Sequence, residues 1–189
     1  MNILWDFDGT IIDTYPVYTK IFQRIAGEHI PAKKIEEQLK VSFSEAENYF
    51  QLTQEQRKQL RFKCNQISVD SVYPFPHVEN LLKHADCNVI MTHKSKKQVI
   101  DILTHHGLYH YFTDMVTADD HFPRKPDPAS YLYLHEKHKL NLAIGDREID
   151  ILPAKEIGIK TCLFQNKTEG ADYYLQTYEN YQLVFSEAN

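Results

Sequence analysis

The strongest constraint on this chain is a rhythm that begins, stops and then resumes. Short runs rich in aliphatic, β-branched and aromatic residues stand at 2–7, 88–92, 115–117, 141–145 and 161–164. Each is about one strand long. Amphipathic stretches at 78–84, 96–108, 129–139 and 149–157 separate most of them. Strand alternating with helix predicts an α/β fold with a parallel sheet.

The rhythm is broken once. After the first run no strand-like segment follows until residue 88, and the interval reads as helical. Tyr18, Phe22 and Ile25 recur at helical spacing, as do Leu60, Cys64 and Ile67. Asp13 or Thr14 can cap the first of these helices, with Pro16 in its first turn. Pro31 starts a second, and Thr53-Gln54-Glu55-Gln56 has the form of a capping box. Tyr73-Pro74-Phe75-Pro76 reads as a stiff return linker. The expected organisation is a core made of residues 1–13 and 76–189, with an all-helical insert at 14–75.

Composition narrows the function. The 189 residues carry 21 Lys and Arg against 26 Asp and Glu, a net charge of −5. That balance argues against a nucleic-acid or anionic-membrane partner. No apolar run nears membrane-span length, and no signal peptide is visible at the start. Cys64, Cys87 and Cys162 stand singly, which fits a reducing cytoplasm and neither a disulfide framework nor a cysteine zinc site.

Chemistry-bearing residues fall at the ends of the strand-like runs, the edge where open α/β sheets bind ligands. Asp6 and Asp8, two apart, project to one side of a strand, and Gly9 lets the chain turn. An Asp-Gly turn alone would look the same. Two carboxylates this close need a shared proton or a cation, and a hard cation such as Mg²⁺ suits oxygen ligands. Asp146 ends another apolar run and Asp150 follows four residues later. Capping and dipole roles at the next helix are the plainer alternative for these two.

Thr92 ends the run 88–92 just ahead of a helix, a setting for an anion contact, an N-cap or both. Lys94 adds local positive charge, whereas Lys96 and Lys97 read as a solvated helix face. His93 reads as exposed. Lys125 precedes Pro126 on a stiff stretch before a helix that Asp127 can cap and Pro128 begin. Such a lysine can neutralise a phosphate or simply decorate a loop. His105, His106 and His110 read as plain surface.

Asp6-Phe7-Asp8-Gly9-Thr10, then Thr92, Lys125 and Gly145-Asp146-Arg147-Glu148-Ile149-Asp150 resemble, in order, the motifs of the haloacid dehalogenase-like superfamily. The insert resembles the helical cap of its phosphoglycolate-phosphatase-like members. The resemblance implies a Rossmann-like parallel sheet sandwiched by helices, and a Mg²⁺-dependent phosphatase acting on a small phosphorylated metabolite. It implies that Asp6 is the nucleophile, forming an aspartyl-phosphate, and that Asp8 is the acid and base. Thr92 and Lys125 would hold the phosphate. Asp6, Asp146 and the Asp8 carbonyl would hold the metal, with Asp150 orienting Lys125 or a metal-bound water. Alternatives within the resemblance are a sugar-phosphate mutase and a non-catalytic phosphate-binding regulator. Pro153, close after Asp150, puts that residue's local geometry in question.

Overall fold

The computed structural model describes residues 1–182. They divide into two compact units, Met1–Ile12 with the described residues from Pro74 onward, and Asp13–Tyr73. Among the described residues no helix is long and apolar enough to cross a membrane.

The first unit is built on β1 (Asn2–Trp5), β4 (Cys87–Met91), β5 (Phe112–Val116), β6 (Leu142–Gly145), β7 (Lys160–Phe164) and β8 (Tyr173–Leu175). They form one sheet in the order β5-β4-β1-β6-β7-β8, and every neighbouring pair is parallel. Ile3, Leu4 and Trp5 are consecutive and all lie at 1% exposure or less. Successive strand residues face opposite sides, so both faces of the sheet are covered, which is why its strands read as unbroken apolar runs. One face buries Leu4, Val89, Met91 and Ala143 against Tyr131 and Leu134 of α7 (Ala129–His138) and Ala154 of α8 (Glu148–Glu156). Two further helices, α5 (Val78–His84) and α6 (Lys96–His105), complete the crossovers. The separate two-stranded sheet pairs β2 (Ile12–Asp13) with β3 (Tyr73–Pro74).

The second unit is all helical: α1 (Tyr15–Ala26), α2 (Ala32–Val41), α3 (Phe43–Tyr49) and α4 (Gln54–Cys64). Tyr18, Phe22, Ile35, Leu39, Ala46 and Leu60 are buried together in its own core. The Thr53–Gln56 capping box is formed. Thr14 occupies the N-cap position of α1 but makes no side-chain cap bond, and its hydroxyl is buried without a partner.

Other ends differ from expectation. Ser95, not Thr92, caps α6. Asp127 accepts from the Ala129 N–H at 2.9 Å, so α7 begins one residue later than the prolines suggest. Pro153 sits inside α8, and the helix nevertheless continues to Glu156. Strand β8 lies in the Tyr-rich stretch that has no clear alternation. Its neighbour Tyr178 is fully buried, stacks on Phe164 at 4.2 Å and donates to the Thr10 carbonyl at 2.9 Å.

Candidate active site

The sheet order explains the site. β1 is central, with β4 on one side and β6 on the other. The chain leaves β1 in both directions, which makes the carboxyl ends of these three strands a topological switch point. Asp6 follows β1, Thr92 follows β4 and Asp146 follows β6. Gly9, at φ 85°, takes the left-handed backbone that turns the chain away after Asp8.

Three carboxylates converge there. Asp6, Asp146 and Asp150 are buried, and each offers an oxygen within 4.8 Å of the others. Thr10 bridges two of them, its hydroxyl lying 3.3 Å from Asp6 Oδ2 and 3.4 Å from Asp146 Oδ1. Asp150 reaches the cluster from the first turn of α8, where it also accepts the Arg147 N–H at 3.1 Å as part of a capping box. Gly145 permits this approach: a Cβ on it would meet Asp150 Cβ at 2.3 Å. Pro153 therefore leaves the placement of Asp150 intact.

Two cations serve the three acids. Lys125 Nζ donates to Asp6 Oδ1 at 2.6 Å and to Asp150 Oδ1 at 2.9 Å. Arg147 lies 3.3 Å from both Asp150 oxygens, and 3.8 Å from Asp6 and from Asp146. Burial and then the Asp150 charge push the Asp6 carboxyl up to about 6, against the pull of Lys125 and Arg147. Burial also works to raise Asp150, but Arg147 and Lys125 prevail and hold it at about 2. Burial opposes the charge of Lys125, yet Asp150 and Asp6 keep it protonated well above the usual lysine range. Of these two carboxyls, Asp6 is the one that takes up a proton first.

Asp8 is placed differently. Its Oδ1 lies 3.2 Å from Lys94 Nζ, and that lysine side chain is only 3% exposed. Thr92 is joined to the same pair, since its hydroxyl accepts the Lys94 N–H at 3.2 Å. The acids expected together thus divide, with Asp6, Asp146 and Asp150 in one group and Asp8 beside Lys94.

His93 corrects the reading of it as exposed. It is half-buried, and its Nε2 accepts the Lys125 N–H at 3.1 Å. Burial first, then Lys125, Arg124 and Arg147, push it down to about 3, so it is neutral and anchors the Lys125 backbone. Arg147 and Lys94 are the residues that sequence reasoning undervalued. The available signals were a first-turn arginine between two motif acids and a lysine two residues beyond Thr92.

The arrangement combines a carboxylate of raised proton affinity, a fixed lysine and a nearby acid beside a second lysine. That suits nucleophilic attack on an anionic group. The oxygen-only donor set and its crowded carboxylates also fit a hard divalent cation.

The sequence profile of the haloacid dehalogenase-like hydrolases matches residues 3–164. A phosphoglycolate phosphatase of Vibrio cholerae is 41% identical over 73 residues, a stretch spanning 36% of this chain and 32% of that protein. A phosphoglycolate phosphatase of Aliivibrio fischeri is 25% identical over 181 residues, covering 82% of this chain and 80% of the relative. Among solved structures, a hydrolase from Streptococcus pneumoniae superposes with a TM-score of 0.68 at 27% identity, covering 98% of this chain and 97% of that one.

Proposed function

The chain belongs to the haloacid dehalogenase-like hydrolases, and from that premise we propose that it is a phosphatase acting on a small phosphomonoester through an aspartyl-phosphate on Asp6. One observation carries this reading: Lys125 Nζ lies 2.6 Å from Asp6 and 2.9 Å from Asp150, inside a buried acid cluster at the switch point of the sheet.

A carboxylate approaching a phosphate dianion meets like-charge repulsion, and phosphoryl transfer depends chiefly on offsetting that charge and holding the reactants in line. Lys125 supplies a fixed ammonium for the non-bridging oxygens, and the Thr92 hydroxyl supplies a hydrogen bond. Asp6 attacks phosphorus; the bond to the leaving alcohol breaks, and Asp8 protonates that oxygen. Asp8 then takes a proton from the water that opens the aspartyl-phosphate, returning free phosphate and the Asp6 carboxylate. Lys94 holds the Asp8 carboxylate in place, and Asp150 keeps Lys125 oriented. Asp6, Asp146 and the Asp8 backbone carbonyl would hold Mg²⁺, which supplies charge neutralisation and orients the phosphate. In this reading the helical insert, 14–75, is a cap that selects the leaving group.

The test is phosphate release from a generic aryl phosphate and from a panel of phosphorylated metabolites, with and without Mg²⁺. Release is expected only with the metal, and Asp6→Asn is expected to abolish it in a protein that still folds. Full activity in that variant would falsify the reading.

A further inference from the structure

A second cluster of reactive groups lies at the opposite end of the sheet. Cys87 opens β4, five residues before Thr92, so about 15 Å of strand separates it from the acid cluster. Its Sγ is 3.9 Å from His138 Nδ1, and His138 Nε2 is 2.9 Å from Asp114 Oδ2. Sulfur, imidazole and carboxylate stand in line, each imidazole nitrogen serving one neighbour. Among the described residues Cys64 and Cys162 are buried, whereas Cys87 is partly accessible.

Local structure aims these groups. The pairing of β4 with β5 slips at this point: Asn88 faces Phe112 but Val89 faces Asp114, which leaves Thr113 as an extra residue. Such bulges redirect side chains. Asp114 reaches His138, the last residue of α7, while Thr113 Oγ1 comes within 3.7 Å of Cys87 Sγ. Asp114 remains a carboxylate: burial opposes this, but Lys137, His138 and the Met115 N–H hold its proton affinity below the usual range. It therefore accepts Nε2–H, which leaves the Nδ1 lone pair facing the sulfur.

We propose that Cys87 is a nucleophilic thiol, activated by His138 and positioned through Asp114, and that it is a site of oxidation by hydroperoxides. The thiol proton passes to His138 Nδ1, and the Thr113 hydroxyl turns to donate to the thiolate. The sulfur attacks the nearer peroxide oxygen; the S–O bond forms as the O–O bond breaks. The departing oxygen takes the proton from His138. Sulfur loses two electrons and becomes a sulfenic acid, and the hydroperoxide is reduced to an alcohol, or to water when the oxidant is hydrogen peroxide.

The test is independent of any phosphatase activity. Alkylation by iodoacetamide at neutral pH is followed cysteine by cysteine by mass spectrometry, in the native chain and in urea. Cys87 is expected to react about tenfold faster native than unfolded, with Cys64 and Cys162 slower native than unfolded. Stoichiometric hydrogen peroxide is expected to give a sulfenic acid trapped at Cys87 by a 1,3-dione. His138→Gln should return the alkylation rate to the unfolded value. Asp114→Asn, whose amide can donate to Nε2 and so favour the other tautomer, should lower it too. A native rate no higher than the unfolded one overturns the proposal whether or not either variant folds. So does a wild-type rate in a folded His138→Gln protein.

Discussion

Glu47 and Asp6 are both buried carboxylates set among cations, yet they differ in charge balance. Glu47, in the helical unit, faces two guanidiniums: Arg61 at 2.9 and 3.2 Å, and Arg57 at 3.5 Å. Arg57 spends further donors on the carbonyls of Leu52 and Glu47, and the Arg61 side chain is 63% exposed. One carboxylate is satisfied there, and the extra positive charge lies towards water. In the sheet unit the ratio is reversed: three buried carboxylates, Asp6, Asp146 and Asp150, bring oxygens within 4.8 Å of one another around Lys125 and Arg147. Both are networks of ion pairs, but only the second brings several carboxylates to one point, the arrangement that can hold a cation or attack an anion. Convergence of like charges, rather than burial, separates a structural cluster from a reactive one.

The largest expected effect that could break this comparison is kinetic. Asp6→Asn should lower phosphate release by about 10⁴-fold or more, while Glu47→Gln should leave kcat unchanged; an equal loss from both would erase the distinction. Next, Lys125→Met leaves Asp6 and Asp150 without their common ammonium. Urea denaturation should show a loss of roughly 3–5 kcal/mol, the usual effect of breaking a buried pair on one side.

Acidity provides a third and smaller contrast. Asp6 rises from 3.8 to about 6 on folding, so the stability it contributes is full below about pH 4 and lost as pH climbs through about 6. Asp150, lowered to about 2, contributes above about pH 4 and loses that contribution only on acidification through about 2. Between pH 4 and 6 Asp150 is silent, while His93, lowered from 6.5 to about 3, adds stability as pH rises and so opposes Asp6. The Asp6 contribution is therefore read as a difference: relative to Asp6→Asn, chelator-treated wild type should lose roughly 3 kcal/mol between pH 4 and 6. Equal pH slopes in wild type and Asp6→Asn would contradict the assignment of the proton.

Glu47→Gln comes next, at about 1–3 kcal/mol by thermal melting, since its arginines can turn to solvent. The smallest effect is at Arg147, whose guanidinium lies 3.8 Å from Asp6 and from Asp146, the two carboxylates that would hold a divalent ion. Arg147→Gln should tighten Mg²⁺ binding several-fold in a calorimetric titration; unchanged affinity would mean that the guanidinium does not compete there.

Much of the sheet unit was legible along the chain. Strands buried on both faces leave continuous apolar runs, and the crossover helices keep one apolar stripe, so both periods survive in the residue order. Asp6, Asp8 and Asp146 were legible because they stand at the ends of such runs, and Asp150 because it falls in the helix turn that follows. Strand β8 was not, because its three residues carry no alternation and are held by β7 and by Tyr178 beneath the Thr10 turn. His93 looked like a solvent-facing neighbour of Thr92, and Lys94 like local positive charge with no identified partner. Their burial depends on Asp8, 86 positions earlier (94 − 8), and on Lys125, 32 positions later (125 − 93).

Local order was enough to set the α/β class, the helical interruption and the identity of the acids, because periodicity and strand-end placement are properties of neighbouring residues. How many carboxylates share how many cations was decided only when β4, β1 and β6 came side by side. Electrostatic energy depends on distance through space and on exclusion of water, and neither is written in the spacing of residues along a chain. The same holds for Cys87, His138 and Asp114, which a bulge and a helix end bring into line.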